Sequence, residues 1–157
     1  MEEEDSYDDK WVLYEKLAHK VNIVVYNYGT SHLQDVMLEV RIPKIDGIEV
    51  ADRMYSEPLI DSVGRIRQLS TVPRPGYPDV SEYESQTVVQ SSMGDVRHHV
   101  PTPSFKEPLR IAVMQPAEGQ RLTLPCTLHA KNLRRTRNYT LTILVARQAR
   151  DEEFESE

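Results

Sequence analysis

The chain has 157 residues, enough for one domain that buries its own core. A hydrophobic content of 39% lies above the range of chains too polar to collapse, and a single cysteine, Cys126, excludes an intrachain disulfide. The net charge of −6 is unevenly distributed: residues 1–9 hold six acids and residues 151–157 five. The other fourteen acids share residues 10–150 with all 19 lysines and arginines, leaving that span formally near +5.

These ends read as acidic solvated tails over 1–10 and 148–157, flanking a domain over 11–147. The opening MEEEDSYDDK is acidic where a secretory leader would be basic and then apolar. With no apolar run long enough for a bilayer, the expectation is a cytoplasmic protein without a membrane partner.

Residues 8–19 place Trp11, Tyr14, Leu17 and Ala18 at three-to-four spacing behind a pair of acids. This predicts a short helix, with Trp11 as its anchor; an edge strand is the rival reading. From Lys20 the period becomes two. Val21, Ile23 and Val25 face one way, and Asn22, Val24 and Tyr26 the other. After the turn signal NYGTS, the stretch 35–44 puts Val36, Leu38, Val40 and Ile42 on one face. Pro43 ends that strand, and Asp46-Gly47 turns into a short strand over 48–50.

Residues 53–80 carry Pro58, Pro73, Pro75 and Pro78 with no sustained period. They predict a long loop, with a short strand or helical turn around Ile60–Leu69. Strand character returns over 83–90 and 95–100, and over 108–115 with Leu109, Ile111 and Val113 in phase. A turn at 116–119 leads to Leu122, Leu124, Cys126 and Leu128 on one face. Pro125, in the opposite phase, predicts an edge position or a bulge. The last strand sets Tyr139, Leu141, Ile143 and Val145 in phase. Seven or eight strands, with turn signals between most of them, predict an all-β, antiparallel, immunoglobulin-like β-sandwich with a short N-terminal helix. No helices alternate with these strands, which argues against a βαβ fold.

Two blocks of the chain carry a family resemblance. The first, VNIVVYNYGTSHLQDVMLEVRIP, resembles the opening of immunoglobulin-like modules used in bacterial adhesion and domain packing. Together with the run from His98 to Val145, it resembles the C-terminal β-sandwich region of bacterial proteins that carry an N-terminal Schlafen-like, AlbA-type domain assigned to DNA binding. The matching residues are Asn27, Gly29, Thr30, Pro43, His129, Ala130, Asn132 and Leu133, and the resemblance spans about 11–50 and 95–146. It implies an accessory domain with no catalytic residues.

The chemistry-bearing residues are sparse. His98 and His99 are neighbours in a predicted strand and so point to opposite faces. His19, His32 and His129 are scattered, so no metal-ligand spacing emerges and no cofactor is expected. Cys126, in phase with leucines, reads as a small core residue rather than a nucleophile. Asp46-Gly47 lacks the oxygen ligands calcium needs. The sequon Asn138-Tyr139-Thr140 has no role in a cytoplasmic chain. No phosphate loop, paired carboxylates or nucleophile elbow is visible, so the chain reads as a non-enzyme.

The sharpest charge cluster is Arg134, Arg135 and Arg137, between the last two strands. Arg65, Arg67 and Arg74 lie in the long loop. These are the candidate contacts for a protein partner, for a host polypeptide or for phosphate. The leading expectation is an interaction module that engages partners through strand edges or through the loops 53–80 and 131–138, self-association included. The alternative is a nucleic-acid accessory domain using the basic loops, although aromatic platforms are not interleaved with those arginines. An enzyme or small-ligand binder would need a polar pocket that the sequence does not advertise.

Overall fold

The computed structural model describes residues 9–55, 59–60, 66–67 and 76–147. The acidic tails, apart from residues 9–10, lie outside the described residues. Within them the chain is an all-β, antiparallel sandwich preceded by a short helical segment, Val12–Leu17. Strands follow in order: β1 His19–Val21, β2 Val24–Val25, β3 Leu33–Pro43, β4 Ile48–Val50, β5 Leu59–Ile60 and β6 Ile66–Arg67. Then come β7 Asp79–Glu82, β8 Gln86–Val96, β9 Thr102–Pro103, β10 Leu109–Val113, β11 Arg121–His129 and β12 Arg137–Leu144.

One layer is a five-stranded sheet in the order β12-β11-β3-β8-β7; the other is a three-stranded sheet in the order β1-β10-β4. The pairs β2-β9 and β5-β6 stand outside these two sheets. The core lies between the layers. Its centre is the inner face of β3, where Val36, Leu38, Val40 and Ile42 are buried as their alternation requires. Leu122, Leu124, Cys126 and Leu128 of β11, Val89 and Val96 of β8, and Leu109 and Ile111 of β10 complete it, with Phe105 wedged in from the loop before β10.

Several elements depart from the sequence expectations for identifiable reasons. The stretch 21–27 is broken rather than continuous. Asn22 takes over the backbone groups at the break: its Oδ1 accepts from Ile23 N (2.9 Å) and Phe105 N (3.1 Å), and its Nδ2 donates to Phe105 O (2.8 Å). Strand β8 runs unbroken through Ser91–Gly94 and ends at Val96, so the expected separate strand over 95–100 does not form. Pro125 lies in a strand with neighbours on both sides. Pairing to β3, however, covers only Cys126–His129, so at Pro125 the ladder runs to β12 alone. Part of the predicted loop 53–80 forms the short β5-β6 pair.

Candidate functional site

The helical segment forms where the 8–19 pattern predicts it, but Tyr14 rather than Trp11 is its deepest residue. It docks on the outer face of β10. The Tyr14 ring stacks on Tyr55 (centroids 5.6 Å apart), and its hydroxyl donates to Glu49 Oε2 (3.3 Å). Glu15 accepts from Tyr55 N (3.1 Å) and pairs with Arg110 Nη2 (3.3 Å). Arg110 is only 4% exposed, and its guanidinium also donates to Pro108 O. Its backbone N donates to the Tyr77 hydroxyl (3.2 Å), which itself donates to Ala51 O (2.7 Å). Burial raises the pKa of Tyr77 to about 12 and that of Tyr14 in the same direction; the Glu49 carboxylate adds to the second shift. The cluster locks the segment down as a structural clamp, and sequence reasoning missed it. A lone arginine at the outward phase of a strand gives no sign that another element covers it.

The opposite situation holds at β12. Tyr139, Leu141 and Ile143 sit directly across from Cys126, Leu124 and Leu122, so they share the inner face of the large sheet. Yet Tyr139 is 54% exposed, Leu141 37% exposed and Ile143 half-buried. The three-stranded layer is too narrow to roof them. An apolar cleft of about 810 Å³ opens between the layers at the Ile143 end of this face. One wall is Leu17, Val21, Ile48, Ile111 and Val113; the other is Ile42, Leu122, Leu124, Ile143 and Val145. His19, Lys20, Arg147 and one acid, Glu118, also line it. On this side β1 is the terminal strand of its sheet, paired among the described residues only with β10. Among those residues the cleft thus has an unpaired strand edge for one rim, and beside it the inward face of β12 is only partly covered.

The arginines singled out in the sequence are only partly placed. Arg134, Arg135 and Arg137 are exposed, in the loop after β11 and at the start of β12. Among the described residues none of the three forms an ion pair. Arg67 belongs to β6, while Arg65 and Arg74 lie outside the described residues. The 131–138 loop is tied to the chain entering β3. Asn132 Nδ2 donates to His32 O (2.7 Å), Gln34 N to Asn132 Oδ1 (2.9 Å) and Lys131 N to Gln34 O (2.8 Å). Asn27, the other asparagine of the resemblance, closes its turn by accepting from Gly29 N (2.8 Å).

The histidines do not behave as strand neighbours. Because β8 stops at Val96 and His99 adopts φ 60°, the rings of His98 and His99 lie edge to face, 5.4 Å apart, rather than on opposite faces. Pairing of Leu33 with Val96 also brings the ends of β3 and β8 together, so His32 meets His98 across 66 residues of sequence. Cys126 is buried in the core, and burial raises its thiol pKa, which disfavours the reactive thiolate. Among the described residues, no helix is long and apolar enough to cross a membrane. Likewise, no group of three or more His, Cys, Asp or Glu side chains is arranged to hold a metal ion. No protein-family model, curated protein or solved structure matches the chain.

Proposed function

We propose that this chain is a non-catalytic, immunoglobulin-like interaction module whose open side takes up an extended segment of a partner polypeptide. The observation that carries the reading is the missing strand. Three strands cover five, the outer edge of β1 has no partner among the described residues, and the inward face of β12 is left partly exposed. A strand added along His19–Val21 would satisfy that edge and lower alternate apolar side chains toward Ile143 and the exposed Leu141 of β12. Lys20 and Arg147 outnumber Glu118 around the cleft, so the segment's outward residues should include carboxylates. The family resemblance implies the same role, an accessory domain of a bacterial protein. A cytoplasmic setting suits a chain whose one thiol is buried and unpaired.

The test is to select peptides from a random display library on the full chain and to map the winners by amide hydrogen exchange. Selected peptides should alternate apolar and polar residues, carry acids, and slow exchange at His19–Val21. A Leu141→Asp chain should lose them while melting normally. Binders that protect another surface, or that ignore this substitution, overturn the reading.

One observation favours the nucleic-acid alternative: the exposed rings of Tyr26 and Tyr28 lie at the same end as the loop bearing Arg134 and Arg135. Under that reading, oligonucleotide binding would fall steeply with salt and with Arg134→Ala or Arg135→Ala, leaving peptide uptake unchanged.

A further inference from the structure

Two imidazoles face one another at the end of the sandwich where β3 begins and β8 ends. The Nδ1 atoms of His32 and His98 are 3.2 Å apart, with ring planes 19° from parallel and centroids 5.0 Å apart. The centroids are much farther apart than the nitrogens, so the rings meet nitrogen to nitrogen rather than face over face. Two nitrogens each about 2.0–2.1 Å from one ion stand about 3.3 Å apart at a tetrahedral angle and about 2.9 Å apart at a right angle. The observed separation falls between these values.

Both histidines are held by their backbones. His32 O accepts from Asn132 Nδ2 (2.7 Å), which fixes the chain just before β3. His98 bridges Asn27, and the following amide, His99 N, donates to Asn27 O (2.9 Å). His99 is occupied elsewhere: its Nδ1 lies 3.4 Å from the Tyr26 hydroxyl, beside the His98 ring. The pair therefore sits on a braced scaffold, and both side chains are open to solvent. That leaves room for water to complete a coordination shell.

We propose that His32 and His98 form a two-imidazole site for a borderline divalent transition-metal ion, with copper(II) held more tightly than zinc(II). Imidazole ligands suit these ions and not magnesium or calcium, and the order follows the general rise in divalent affinity toward copper. The remaining positions carry water, so the site is an open one, capable of accepting a further donor from a partner bound at this end. The pair belongs to the β3/β8 end and is independent of the cleft between the layers.

The experiment titrates the full chain with copper(II), zinc(II) and magnesium(II) by calorimetry and records the electron paramagnetic resonance spectrum of the copper form. Magnesium reports uptake by the acidic tails. The expected result is one saturable copper and one zinc per chain, with hyperfine coupling to two imidazole nitrogens. His32→Gln and His98→Gln should each weaken uptake at least tenfold, since even loss of an outer-shell partner costs roughly that much. His99→Gln and His129→Gln should leave it unchanged. Far-UV circular dichroism checks that these exposed substitutions fold. No saturable uptake would mean that the imidazoles share only a hydrogen bond, and coupling to fewer than two nitrogens would place copper elsewhere. Either outcome, or affinity in the His32→Gln and His98→Gln chains equal to that of the parent chain, overturns the assignment.

Discussion

Strands β10 and β12 carry the same alternating pattern and end in opposite circumstances. Four of the five residues of β10 are buried, on both faces. Of the eight residues of β12, seven are exposed, including Arg137, Tyr139 and Leu141 on the face that points into the sandwich. The inner face of β10 meets the large sheet, and its outer face is capped by the helical segment through Tyr14 and Glu15. Among the described residues the cover over β12 is incomplete, because the smaller sheet stops at β1. Alternation determines which side chains share a face; whether that face is covered depends on elements far away in sequence. The excess cover at β10 is a clamp, and the shortage at β12 is a cleft.

The clamp offers the largest effect. Arg110 and Glu15 are both mostly buried, so removing one partner leaves the other charged in a poorly hydrated site. Glu15→Ala should cost about 3–5 kcal/mol in urea unfolding. A cost below about 1 kcal/mol would mean that the segment is not held by this pair. The double change Glu15→Leu with Arg110→Met should recover much of the loss, because it removes both charges together.

Next comes alkaline pH. In the unfolded chain Tyr14 and Tyr77 lose their protons near pH 10. Folded, Tyr77 holds its proton to about 12, and Tyr14 is shifted the same way. Below pH 10 both states are protonated and these residues add no slope. Above it the folded state binds more protons than the unfolded, so stability falls as pH rises through that window, by about 1.4 kcal/mol per pH unit per tyrosine. Unfolding midpoints collected from pH 9 to 12 check this. Phenylalanine at both positions should flatten the extra slope; a slope equal to that of the parent chain would clear these tyrosines of the effect.

Much of the layered fold was legible in the sequence. The faces of β3 and β11, the stop at Pro43 and the Asp46-Gly47 turn all rest on local patterns of two to ten residues. The clamp was not legible, since Arg110 and Tyr77 are 33 residues apart and the outward phase of Arg110 in β10 reads as solvent-facing. The meeting of His32 with His98 also needed the β3-β8 register, which a sequence scan for ligand spacing cannot supply. Even the cleft was hidden behind a correct pattern. Tyr139, Leu141 and Ile143 were read as an inward face, and they are one, but the strand count of the second sheet decides whether anything lies above them.

That point can be isolated with one residue. Leu124 and Leu141 are cross-strand partners on the same face of the same sheet, one buried and one 37% exposed. A covered leucine such as Leu124 truncated to alanine should cost about 2–5 kcal/mol, through lost transfer energy and the cavity left behind. Leu141→Ala creates no closed cavity and returns little surface to water, so it should cost less than about 1 kcal/mol. The smallness of that loss is the informative result, because it marks apolar area that the fold itself does not use. If a saturating peptide then stabilises the parent chain but not Leu141→Ala, the area is used in binding. If Leu141→Ala instead costs as much as Leu124→Ala, the inward face of β12 is covered in solution.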